Sequence, residues 1–398
     1  MAEKKLTPEE YFKKVSKEDK DAIIDLSSKK KLDLIPSGSW VIDTIIGDGT
    51  MTGKPGGFPR GHIVEIFGDE SSGKSTLALS SIAKAQELGG LGILLDFEQT
   101  FHSGYASKLG VNLTKNKFIP YEPKSFQQGA RIIKDCLLMQ PHIIVVDSVS
   151  AMLPQQYLEG SVDEAGRIGL QAQLMSAFCG YITKFLKASN TLLLFTNQLR
   201  SVIKKDKYQR GPDEESSGGR ALRYYSSVRI KLITSTVEKI NVKSRITGKA
   251  DKEPINVMIK ATVVKNKIDR PWFTAPVYIR FGEGIDNIRS IIELAVNTGV
   301  IQKKGSFFEF SQGNETLVKV QGMEGLWQNL TDNEKVFEKV KASLVIKEDE
   351  KVKEEYKDGD EEDVEVGDEM DAMLTNVATE FVEKQNSKKK KKEEVPEE

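Results

Sequence analysis

Apolar residues fall along this chain in two alternating rhythms. Short β-branched or leucine-rich runs at 63–67, 91–96, 143–146 and 191–196 alternate with stretches in which apolar or small residues recur every three or four positions, as at Leu77, Ala78, Ser81, Ile82, Ala85 and Leu88. Unbroken apolar runs of that length predict parallel strands buried on both faces, and the wider spacing predicts helices. Residues 36–282 therefore read as an α/β core around a mostly parallel central sheet. A smaller α+β domain is expected over 283–345, with helical patterns at 287–297 and 334–345. Ahead of the core, residues 1–35 form a Lys-rich unit in which Thr7 caps a helix, Pro8 opens it and Glu10 closes a capping box. Its Tyr11, Phe12 and Val15 then need a partner surface.

The rhythm stops after about 345. Residues 346–398 form an acidic tail, and 348–371 carry so much Asp and Glu and so few apolar groups that they predict disorder. Within that tail Met370, Met373, Leu374, Val377, Ala378, Phe381 and Val382 recur at spacings of three and one, and Lys388 to Lys392 follow. This is an apolar stripe on a short helix, suited either to the chain's own C-terminal domain or to a groove on a partner.

Composition changes the picture mainly by exclusion. The 398 residues carry a formal net charge of −1, which argues neither for nor against a polyanionic partner. The two cysteines, Cys136 and Cys179, have no CxxC or His companion, so they read as core thiols in a reducing compartment. A polar N-terminus and the lack of any apolar run near the ~20 residues of a membrane span lead us to expect a soluble, cytoplasmic protein.

The strongest chemistry lies where the run Ile63 to Phe67 meets the first helical pattern, at GDESSGKS (68–75). Strand, glycine-rich loop and helix in that order make a P-loop. Backbone N–H groups from Gly68, Asp69, Glu70, Ser71, Ser72 and Gly73 can converge on a polyphosphate at a helix N-terminus, with Lys74 on the outer phosphates, Ser75 on Mg2+ and Thr76 beside them. Carboxylates follow two other strands. Asp147, after Ile143 to Val146, suits a Mg2+-holding acid, and Glu98, just past the run 91–96, suits the base that orients attacking water.

The fourth strand run ends in Asn197-Gln198, and a polar amide there can touch a γ-phosphate. A polar loop, Leu199 to Ser217, comes next with Arg200, Lys204, Lys205, Lys207, Tyr208 and Arg210, closed by Gly218-Gly219. Basic residues interleaved with an aromatic suit phosphate neutralisation and base stacking. A second, weaker candidate loop runs from Leu158 to Ile168 with Gly160, Gly166 and Arg167.

Seven segments, GDESSGKS, LLDFEQ (94–99), VVDSVSAMLP (145–154), LLLFTNQLR (192–200), GGRALRYYSSVRI (218–230), VVKNKI (263–268) and FGEGID (281–286), resemble the motifs of RecA-type recombinases in order and spacing over about 36–345. Both bacterial and bacteriophage-encoded (UvsX-like) members fit. The resemblance implies a DNA-dependent ATPase that forms a helical filament on single-stranded DNA, binds ATP or dATP with Mg2+ between protomers, and pairs homologous duplex DNA in recombination and repair. It implies that Lys74, Glu98 and Gln198 are catalytic, that Ser75 and Asp147 hold Mg2+, and that Tyr105 stacks on adenine. Leu158–Ile168 and Leu199–Ser217 become the two DNA loops. Lys265 and Lys267, which by spacing alone share one solvated strand edge, become groups reaching the neighbour's γ-phosphate. Tyr224, Tyr11 and Phe12 become protomer-interface residues. The family does not explain the apolar stripe of the tail, and from that stripe residues 368–398 are expected to bind a single-strand-binding or replication protein. His102 stands where the family usually has an adenine-contacting aspartate. A hexameric RecA-fold DNA motor would share the P-loop and the acid after the strand, but such motors normally use an arginine across the interface.

Overall fold

A computed structural model of the chain describes residues 32–47, 55–159, 164–201, 214–243, 250–313 and 315–355. Tyr11, Phe12, Gly160, Lys204, Lys205, Lys207, Tyr208, Arg210 and the stripe of Met370 to Val382 lie outside the described residues. The described residues up to Ile346 belong to one compact unit; of the second unit only 347–355 are described, as the end of a helix.

In chain order the core begins with β1 (Leu34–Ile35), α1 (Trp40–Ile46), β2 (Phe58–Pro59), β3 (Ile63–Gly68), α2 (Lys74–Glu87), β4 (Gly92–Asp96), α3 (Ser103–Lys108) and β5 (Phe118–Tyr121). It continues through α4 (Phe126–Cys136), β6 (Ile143–Asp147), α5 (Gln155–Leu158), α6 (Glu164–Ser189), β7 (Leu192–Ser201), β8 (Glu214–Ser216), α7 (Ala221–Tyr225), β9 (Val228–Lys243), β10 (Ala250–Asn266), β11 (Thr274–Arg280) and β12 (Gly284–Asp286). The last elements are α8 (Asn287–Asn297), a three-stranded sheet of β13 (Gln302–Lys304), β14 (Phe307–Gln312) and β15 (Glu315–Gln321), then α9 (Met323–Asp332) and α10 (Glu334–Glu355).

The central sheet has the order β12-β11-β10-β9-β3-β7-β6-β4-β5. The five strands β3, β7, β6, β4 and β5 run parallel, β9 joins β3 in parallel, and β9 to β12 add antiparallel partners. Parallel strands need cover on both faces. Val64, Ile66, Leu94 and Val145 pack into one apolar cluster with Leu77 and Ile82 of α2, whereas Ile63, Ile93, Leu95 and Ile144 pack into another with Met175, Cys179 and Ile182 of α6. Both cysteines are free and buried, and burial pushes the Cys179 thiol up to about 12.

Two loop expectations are corrected. The stretch Leu158 to Ile168 is mostly helix, because Leu158 ends α5 and α6 already starts at Glu164, placing Arg167 on the first turn of that helix. Gly166 reads as a loop residue, yet Met175, Phe178, Cys179, Ile182 and Leu186 bury one face of α6, and that packing outweighs the helix cost of its glycines. The stretch Leu199 to Ser217 is narrower than its polar composition implies. Strand β7 runs on to Ser201 and pairs antiparallel with β8, with Arg200 opposite Glu215, so the second loop rises from a two-stranded base.

Candidate functional site

Strand β3 delivers the chain to the P-loop at Gly68, and Gly73, at φ +79°, turns it into α2. The left-handed conformation of Gly73 calls for glycine, and a Cβ there would also press the far end of the Ile279 side chain, 2.3 Å away, to shift. Lys74, the first residue of α2, is buried. Its ammonium donates to the carbonyls of Gly68 at 3.2 Å and Asp69 at 2.5 Å and to Ser72 Oγ at 3.5 Å. Burial lowers its pKa, while Asp147, Glu98, Asp69 and Glu70 oppose that shift, in that order. A cation held by weak neutral acceptors beside carboxylates is one that a polyphosphate can recruit.

The ends of the neighbouring strands complete the cleft. Asp147, at the end of β6, accepts from Thr196 Oγ1 at 2.5 Å and from the Ser75 hydroxyl. Burial raises its pKa; the two hydroxyls offset that, and Glu98 and Asp96 add to it. Ser75 and Asp147 are therefore adjacent hard oxygen donors, the set Mg2+ prefers, and a dication there would favour the ionised carboxylate. Glu98 accepts a short hydrogen bond from Ser148 Oγ, and Gln198 Nε2 approaches the same carboxylate oxygen at 3.5 Å. Asp96 does a different job, accepting the backbone N–H groups of Glu98 at 3.1 Å and Phe101 at 2.7 Å, which shapes the turn that presents Glu98.

Glu98, Asp147 and Gln198 line one cleft of about 450 Å³ with Glu70 to Thr76, Tyr105, Val257, Ile279 and Phe281. Tyr105 is fixed by a 2.8 Å hydrogen bond between its hydroxyl and Thr76 Oγ1. His102 caps α3, its Nδ1 accepting from the Tyr105 N–H at 3.1 Å, so the histidine in the aspartate's place supports the helix that carries the tyrosine. The apolar wall of Val257, Ile279 and Phe281 was missed in the sequence. Phe281 lies in the FGEGID segment, the one signal available, but Val257 and Ile279 reach the cleft through the antiparallel strands β10 and β11.

Other candidate residues stand apart from the cleft. Lys265, near the end of β10, donates to the backbone carbonyls of Arg223 at 2.7 Å and Tyr224 at 2.9 Å, at the end of α7. Its pKa falls to about 8, first through burial, then through Lys267 and Arg229. Lys267 is exposed, and Tyr224 is 65% exposed beside the Lys265 anchor. Neither lysine lines the cleft of its own chain. Gly218 and Gly219 both have positive φ, at +83° and +72°, and a Cβ on either would crowd Val149 or Ala172. Their place is a tight turn packed on α6, at the foot of the second loop. Among the described residues no group of three or more His, Cys, Asp or Glu side chains suits a metal ion, and no helix is long and apolar enough to cross a membrane.

Comparison with known proteins agrees with this architecture. A family model described as the RecA N-terminal domain matches residues 9–286. Protein RecA of Thermus aquaticus is 36% identical over 348 residues, covering 86% of this chain and 94% of its own. Protein RecA of Chlorobaculum tepidum is 38% identical over 311 residues, covering 78% and 82%, and that of Porphyromonas gingivalis 37% over 324 residues, covering 81% and 87%. The chain belongs to the RecA family.

Proposed function

We infer that this protein is an ATP-dependent recombinase that assembles into helical filaments on single-stranded DNA and pairs it with homologous duplex in recombination and repair. The observation that carries this reading is the position of Gln198. It stands in the nucleotide cleft beside Glu98 on the very strand, β7, that continues into the second loop. One element thus touches both the nucleotide site and a loop whose sequence suits unpaired nucleic acid.

In this reading Lys74 and the P-loop amides bind the triphosphate, and Tyr105 with Phe281 and the other apolar wall residues bound the space for its base. Glu98 orients and deprotonates water, with Ser148 and Gln198 fixing its carboxylate. Mg2+ held by Ser75 and Asp147 would neutralise charge developing on the phosphates. Lys265 and Lys267 reach the nucleotide of an adjacent protomer next to Tyr224, and Tyr11 and Phe12 dock on a neighbour. Arg167, Arg200, Lys204, Lys205, Lys207, Tyr208 and Arg210, with Gly160 and the Gly218-Gly219 turn, build the DNA loops. Nucleotide binding then stabilises the extended filament by favouring that state, and hydrolysis releases DNA.

We place the protein in the cytoplasm, on the nucleoid, with ATP or dATP and Mg2+ as ligands. Residues 368–398 recruit a single-strand-binding or replication protein; unchanged partner binding after their deletion would remove that assignment. The RecA relatives weigh against the hexameric motor. Electron microscopy with single-stranded DNA and a non-hydrolysable ATP analogue tests the whole reading. Helical filaments are expected, and closed rings or free protomers would overturn it.

A further inference from the structure

Strand β3 is apolar at Ile63, Val64, Ile66 and Phe67 and buried throughout, yet Glu65 stands in its middle with no exposed surface. Its partners come from the strands on either side. From β9, Arg229 Nε pairs with Glu65 Oε2 at 2.5 Å, its guanidinium 4.5 Å from the centre of the Phe67 ring. From β7, the fully buried Asn197 donates from Nδ2 to Glu65 Oε1 at 2.9 Å and to the carbonyl of Ser217 at 2.8 Å. The Oδ1 of the same amide accepts the backbone N–H of Gln198 at 2.9 Å. Beyond β9 the row continues, because Lys265 of β10 lies directly opposite Arg229 in the ladder.

Stability does not explain such a row. Removing two charges from water is costly, and apolar residues of similar volume commonly hold a fold as well or better. What the row does achieve is connection. Asn197 is joined at once to the cleft residue Gln198, to Ser217 where the second loop returns, and through Glu65 to the strand that ends in the P-loop. A shift of Gln198 relative to Ser217 would leave a buried amide or carboxylate without its partner, so the two move together or not at all.

We propose that Glu65, Asn197 and Arg229 are positioning residues that lock Gln198 and the return end of the second loop into one unit, so that nucleotide and single-stranded DNA strengthen each other's binding through them. The proposal rests on the recombinase reading above. It assigns a coupling role to side chains that touch neither ligand.

The test is a thermodynamic cycle on the full chain. Affinity for a fluorescent single-stranded oligonucleotide is measured with and without a non-hydrolysable ATP analogue, and affinity for a fluorescent ATP analogue is measured without DNA. The variants are Asn197→Leu and the double variant Glu65→Leu/Arg229→Met, the latter removing the ion pair with apolar groups of comparable size so that folding is kept. Coupling between two sites is typically ~5- to 150-fold. Either variant that unfolds within a few degrees of the parent should lose most of that factor while its nucleotide affinity without DNA stays within about twofold. A purely structural row would instead lower the melting temperature and leave the coupling factor alone, which overturns the proposal. If the parent shows no coupling, the recombinase reading fails and takes the proposal with it; if the parent shows coupling and the variants keep it, only the proposal fails.

Discussion

The nucleotide cleft and the Lys265 face are built from the same materials to opposite effect. In the cleft one buried lysine, Lys74, is held among carbonyls and within the field of Asp147 and Glu98, so the local balance is rich in acceptors. On the other face Lys265 also rests on carbonyls, but its charged neighbours include Lys267, Arg229 and Arg223, and the balance is rich in cations. Phosphoryl transfer needs both: a cradle with a metal and a base, and further positive charge on the outer phosphate. Lys265 and Lys267 do not line the cleft of their own chain; in the proposed function they serve a neighbour's cleft, as in a head-to-tail polymer whose sites form between copies.

The sharpest way to break this comparison is to damage one half at a time. Lys74→Ala should remove most nucleotide affinity. Lys265→Ala with Lys267→Ala should leave nucleotide affinity within about twofold yet cost roughly a thousandfold or more in single-stranded-DNA-stimulated hydrolysis, the range for a cation supplied across an interface. Mixing the two damaged proteins then decides whether the halves belong to different copies. In a random one-to-one polymer about a quarter of the junctions would join an intact cradle to an intact lysine pair, so turnover should return to that order of the parent rate. Equilibrium nucleotide binding and steady-state ATPase assays on the separate and mixed proteins check each step. No recovery on mixing would place both halves in one chain.

The cradle was legible in the sequence because its chemistry is local. The strand Ile63 to Gly68, the loop and the start of α2 follow one another without interruption; Asp147 ends β6, Glu98 lies just past β4, and Gln198 stands where the parallel part of β7 stops, so the sheet brings all three to one edge. Glu65 and Arg229 are 164 positions apart and meet only because β9 pairs with β3, so the carboxylate in a buried run carried no visible partner. Val257 and Ile279 were hidden for the same reason. Residues 164–168 were misread as loop for a different reason: local glycine content spoke against helix, and the apolar face that settles the matter begins only at Met175. Lys265 and Lys267 show the converse limit. Their spacing reads as a solvated edge, and the fold adds only that Lys265 is half-buried and anchored.

The depressed pKa of Lys265 gives the comparison a gentler handle, with stability and assembly moving in opposite directions. Its folded-state value of about 8 lies below the ordinary 10.5, mainly through burial. Between those two values the unfolded chain keeps a proton that the folded chain has released, so this group makes the fold more stable as pH rises. A lysine that has lost its proton, however, no longer attracts a neighbour's triphosphate. The concentration of protein needed for nucleotide-dependent assembly should therefore climb as pH rises through about 8, by at most about tenfold per unit, the slope of a single proton. Low salt keeps the interaction visible, because both surfaces face water before they meet. Lys265→Arg keeps its charge throughout and should flatten the climb. Light scattering across pH 7 to 9 reads the effect, and a parent profile as flat as that of the arginine variant would mean that Lys265 is a helix anchor and no part of the split site.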